Sequence, residues 1–70
     1  MNQATFRAIG EALFGTYYRT ELAQALGCDQ RTVRRYDDGI YPVPEDRQKQ
    51  LLELLRARKA KLTDLIGRVK

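Results

Sequence analysis

The chain has no histidine and no serine, and it carries one cysteine and two prolines in 70 residues. Each scarcity removes a class of function. Without histidine, the commonest acid–base group and metal ligand near neutral pH is missing. Without serine there is no serine nucleophile. Lone Cys28 excludes an internal disulfide and a cysteine-based zinc cage, and it has no histidine to activate it. At a turn between two helical patterns, a cysteine is better explained as a small apolar plug. No glycine-rich phosphate loop is present. Adjacent Asp37 and Asp38 point about 100° apart on a helix, so they form no working carboxylate pair. These absences predict a protein that is not an enzyme and holds no cofactor, metal or evident small-molecule ligand.

Long apolar runs are also lacking. Nothing approaches the ~18 residues of a membrane span. The opening MNQATFRAIGEALFG has no basic start followed by an unbroken apolar core, so no secretory signal is expected. The expected location is the cytoplasm, in a bacterial or phage-infected cell. Alternation of apolar and polar residues is absent too, which gives strands no support.

What is present is charge and helical periodicity. The formal net charge is +4 and the sequence pI is about 9.6. A basic balance suits a polyanionic partner. Arg19–Asp38, however, is near neutral, because its four arginines are matched by four acids. The excess lies in the last third, through Arg47, Lys49, Arg56, Arg58, Lys59, Lys61, Arg68 and Lys70.

Seventy residues allow one small domain. The expected fold is all-α, with about four helices. Phe6, Ile9 and Leu13 share a face of a first helix from about Ala4 to Phe14, and Phe14 widens that face. Gly15 follows and suits a left-handed cap. A second helix is expected from Arg19 to Leu26, with Leu22 and Leu26 on one face. Gly27 marks its end, and Asp29 is a good N-cap for a third helix from Gln30 to about Asp38. IYPVP, Ile40–Pro44, is a loop, because its prolines block helix. Pro44 suits the opening turn of a fourth helix from Glu45 to Val69.

That fourth helix is long for so small a domain. At 100° per residue, Leu51, Leu54, Leu55, Leu62, Leu65, Ile66 and Val69 fall in one half, with Leu52 at the margin. The stripe keeps its phase across RARKAK, which predicts one unbroken helix. Positions 51, 55, 58, 62, 65 and 69 have the spacing of a coiled-coil seam, with Arg58 its one charged member. The first half of the stripe is expected to complete the core. The second half is left over, so Leu62, Leu65, Ile66 and Val69 are expected at a homodimer interface. The alternative is a bend that folds this segment back onto the first helix.

The segment RTELAQALGCDQRTVRRYDDG, Arg19–Gly39, has the spacing of a helix-turn-helix. Ala23 is the small residue where two helices cross. Gly27, four positions later, accepts a left-handed turn. Leu22, Leu26, Cys28, Val33 and Tyr36 anchor the pair, and Gln30, Arg31, Arg34 and Arg35 remain to face outward. A plain solvated helical hairpin has the same polar face, but five anchors at these spacings are less expected of it.

These residues resemble the Xre/Cro-type helix-turn-helix of phage repressors and related bacterial regulators. Ala23, Gly27, Val33 and Tyr36 fall on that motif's small, turn and anchor positions, and RRYDDG resembles its closing run. The resemblance covers Thr16 to about Leu55 and is strongest over Arg19–Gly39. The family often has five helices; here an extended fourth stands in for the fifth.

The resemblance implies a sequence-specific DNA-binding transcriptional regulator, a homodimeric repressor of phage or mobile-element type. It implies that Gln30, Arg31, Arg34 and Arg35 contact bases, with Arg34 facing base or phosphate. It implies phosphate contacts from Arg19, Tyr18, Thr32 and Tyr41. The operator on double-stranded DNA is expected to be palindromic. The competing class is a protein-interaction module on the same fold, such as an antitoxin or an adaptor that binds a polymerase or a toxin.

Overall fold

A computed structural model describes residues 1–69. It is all-helical: α1 Gln3–Phe14, α2 Arg19–Leu26, α3 Gln30–Asp37 and α4 Glu45–Val69. The described residues contain no strand. No helix among them is long and apolar enough to cross a membrane.

Local chemistry sets each boundary. Asn2 caps α1, its side chain accepting from the Thr5 amide at 2.8 Å. The apolar periodicity does not single out Asn2, although its residue type suits a cap. Gly15 ends α1 at φ 84°, ψ −168°. The positive φ agrees with expectation, but the ψ is extended and not that of a left-handed helical cap. Gly27 does take the left-handed conformation, at φ 73°, ψ 32°. The amide of Cys28 then reaches back to the Ala23 carbonyl at 2.9 Å, closing α2 and aiming the chain into the turn. Asp29 caps α3 through the Thr32 amide at 3.1 Å. α3 ends at Asp37, one residue short of the expected Asp38, within the usual latitude of helix ends. Pro44 sits just before α4, its carbonyl accepting from the Gln48 amide at 3.0 Å.

One core joins the four helices. Phe6, Tyr18, Leu22, Ala23, Leu26, Val33, Tyr36, Val43 and Leu51 are buried together, with Ile9, Phe14 and Cys28 packed at the edge. Phe6 and Tyr36 meet edge to face, with ring centroids 5.5 Å apart. Gly10 supplies the closest approach. A Cβ there would run into the Tyr18 ring, so the absence of a side chain lets that ring lie against α1. The glycine has no role in the sequence pattern, since it interrupts the apolar face and caps nothing.

Arg47 fastens α4 to the rest. Its guanidinium donates to the Leu26 carbonyl at 2.7 Å and to the Tyr36 hydroxyl at 3.1 Å. One side chain thus satisfies an end carbonyl of α2 and holds the aromatic anchor of α3. Beyond Leu55, α4 leaves the core. It runs on as one helix, with Leu62, Leu65, Ile66 and Val69 all exposed. The fold-back alternative is not what this chain adopts. The molecule is accordingly elongated, 45 × 23 × 21 Å.

Candidate nucleic-acid interface

α2 and α3 are two eight-residue helices joined through Gly27, Cys28 and Asp29. Ala23 is buried in the core to which both helices contribute. Val33 and Tyr36 face inward on α3 and are buried. Gln30, Arg31, Arg34 and Arg35 occupy the opposite side, and all four are exposed. At 100° per residue they fall in an arc of about 140°. Sequence spacing places this division correctly, because an eight-residue helix with two anchors three apart has only one way to sit.

The outward side chains are partly pre-set. Gln30 donates from its amide nitrogen to the Thr20 hydroxyl at 2.6 Å, bridging the start of α3 to the start of α2. Among the described residues its carbonyl oxygen has no such tie. The Arg35 guanidinium lies over the Tyr41 ring, 5.3 Å from its centroid. That stacking holds the long side chain beside the loop. Arg31 and Arg34 make no ion pair within the described residues. Thr32 is half-buried, and its hydroxyl points to the cap residue Asp29 at 3.5 Å.

A shallow groove of about 210 Å³ separates the two helix starts, lined by Thr16, Tyr17, Arg19, Thr20, Gln30 and Arg34. No cap side chain closes α2 among the described residues, and its first two residues, Arg19 and Thr20, line this groove. Two cations, several hydroxyls and a helix N-terminus make it attractive to an anionic oxygen.

The least expected residue is Asp37. It is fully buried, at 0% exposure. Its Oδ1 accepts from the Tyr18 hydroxyl at 2.5 Å, and its Oδ2 from Arg19 Nε at 2.6 Å. Its backbone carbonyl accepts from Arg7 at 2.7 Å. One acid therefore joins the end of α3 to the start of α2 and to α1. Burial and the neighbouring carboxylate push the Tyr18 hydroxyl well above its ordinary titration range. The bond to Asp37 likewise raises Arg19.

This network corrects one expectation. Tyr18 is a core residue, 4% exposed, and its hydroxyl is committed to Asp37, so it has no donor for a phosphate. Arg19 is shared: its Nε is taken, while its side chain remains 48% exposed. Tyr41 is about half exposed at the loop and carries Arg35 on its face. The sequence signal for Asp37 is slight. An acid four residues after Val33 falls on the buried side of the wheel, but in the run DD nothing distinguishes it from its exposed neighbour Asp38.

The fold and site thus define a four-helix protein that presents a short, basic, solvent-facing helix braced by the helix before it. No family model, curated protein or solved structure matches the chain.

Proposed function

We propose that the chain is a sequence-specific DNA-binding transcriptional regulator of the Xre/Cro-like helix-turn-helix type. In this reading it is non-catalytic and represses as a homodimer on a phage or mobile-element operator. One observation carries it: α3 buries Val33 and Tyr36 and turns Gln30, Arg31, Arg34 and Arg35 to solvent, with Gln30 braced on Thr20 of α2.

The chemistry follows from the side chains. An arginine pairs in bidentate fashion with guanine, and a glutamine with adenine, at the major-groove edge. Gln30 keeps its carbonyl oxygen free toward an adenine amino group, while Arg31, Arg34 and Arg35 supply the guanine readers. The groove at the start of α2, with Arg19 and the helix N-terminus, receives a backbone phosphate. Thr32 and Tyr41 flank the reading helix and add backbone contacts. One such helix spans few base pairs, so two copies on half-sites about one turn apart multiply the discrimination.

A second reading, a protein-interaction module such as an antitoxin or a polymerase- or toxin-binding adaptor, is favoured by one feature, the exposed apolar stripe of α4. The two separate on DNA. Selection from random duplexes should enrich one palindrome with half-site centres ~10 bp apart. Equal affinity for selected and random duplex would overturn the regulator reading.

A further inference from the structure

We infer that the distal part of α4 pairs antiparallel with the same segment of a second copy. Leu62 of each chain meets Leu65 of the other, and Arg58 meets Val69. The inference deepens the proposed two-fold assembly and takes only the pairing from it.

The first argument is steric. α4 is one unbroken helix from Glu45 to Val69. Its apolar stripe keeps one phase along the whole length. Leu51 on that stripe is buried in the core, and α4 packs against α1 and α2. The head therefore sits on the same face of α4 that carries Leu62, Leu65 and Val69 further out. A partner helix must approach along that face. If it ran parallel and in register, both heads would occupy the space between the two helices at the same level. Running antiparallel with Leu62 opposite Leu65, each head faces none of the described residues of the other helix, and only the two tails overlap.

The second argument is the seam itself. Leu55, Leu62 and Val69 take one heptad core position, and Leu51, Arg58 and Leu65 the other. Antiparallel coiled coils pair the two kinds of position across the axis. With Leu62 opposite Leu65, the next layer out sets Arg58 opposite Val69, and the symmetric layers repeat both. Arg58 is half-buried and makes no ion pair among the described residues. In this register its apolar stem lies on Val69 while its guanidinium reaches outward to solvent. In the parallel register Arg58 would face Arg58, two like charges on the seam.

The third argument is area. Leu62, Leu65, Ile66 and Val69 are 51%, 42%, 57% and 88% exposed. Together they leave on the order of 400 Å² of apolar surface open, comparable to the largest patch on a typical monomer, which is often functional. Two copies bury ~800 Å² through these side chains, below the ~1,200 Å² of a stable standard interface. The pairing is therefore weak and reversible in the absence of DNA.

The experiment uses the full chain without DNA, with Cys28→Ser as background. Sedimentation equilibrium up to ~1 mM should show a monomer–dimer equilibrium in the micromolar-to-millimolar range. Leu62→Glu should weaken it at least tenfold, with the circular dichroism of the head unchanged. Under mild oxidation, an equal mixture of Leu62→Cys and Leu65→Cys chains should cross-link as the mixed dimer, several-fold over either chain alone. Monomer at every concentration would overturn the pairing. Preferential cross-linking of Leu65→Cys with itself would overturn the orientation. Neither result bears on DNA recognition, whose failure would in turn leave this equilibrium intact.

Discussion

Asp37 is the residue on which the arrangement of α2 and α3 most depends. Its carboxylate is the acceptor for the buried Tyr18 hydroxyl. Replacing Asp37 with alanine leaves that hydroxyl unsatisfied in the core, and should cost about 2–3 kcal/mol in urea unfolding. The Arg19 side of the network contributes less, because Arg19 is half exposed and screened. The same network gives a pH dependence. Tyr18 holds its proton far above its ordinary value of 10.0, so the unfolded chain releases that proton first. Its contribution is whole below about pH 10 and declines as pH rises beyond. Tyr18→Phe should flatten the loss of stability between neutral pH and pH 11, read by thermal melts. Two glycines offer a contrast of mechanism. At Gly27 no atom lies within 4 Å of the place a methyl would take, so Gly27→Ala should cost only the backbone strain of its positive φ, about 1–2 kcal/mol. Gly10→Ala should cost more, because its methyl collides with the Tyr18 ring and α1 must shift.

At the scale of the element, α3 and the start of α2 should divide the work on DNA. Arg35→Ala or Gln30→Ala should lower affinity for the preferred duplex by about 1–3 kcal/mol and leave random duplex nearly unaffected, measured by fluorescence anisotropy. Arg19→Ala should weaken all sequences alike and also lower stability, since its Nε serves Asp37. Arg19→Lys should not restore both, because one ammonium lacks the planar fork that reaches two partners at once. A variant at Gln30 and Arg35 that leaves specific binding unchanged would remove α3 from the reading role.

For the whole molecule, two equilibria should respond to salt in opposite directions. DNA affinity should fall steeply as salt rises, by a slope of ~0.9 per phosphate neutralised. Tail pairing should strengthen, because Lys61 of one copy lies near Arg68 of the other in the antiparallel register and salt screens that repulsion. Arg68 already binds its own Asp64 at 2.9 Å, which limits the effect. Removing residues 61–70 should abolish the pairing seen by sedimentation while leaving the head folded, since no residue beyond Arg58 is buried or half-buried in the described chain.

The sequence by itself determined the four helices, their order and most of their ends. These rest on local causes that periodicity exposes: a stripe that keeps phase in α4, Asp29 as a cap, Gly27 as a left-handed turn and the prolines that break helix before Glu45. It also determined which side of α3 faces out, because Val33 and Tyr36 fix the inner face of so short a helix. Only the tertiary structure decided what is brought together across distance. It placed Tyr18 in the core against Gly10, gave Asp37 and not Asp38 the buried position, and sent Arg47 to the end of α2. These contacts join residues from 8 to 30 positions apart through single side chains, and such pairings leave no period in the chain. The open stripe of α4 belongs to both levels. Periodicity shows that the stripe exists, but only the fold shows that its first half is consumed by the head and its second half is left exposed.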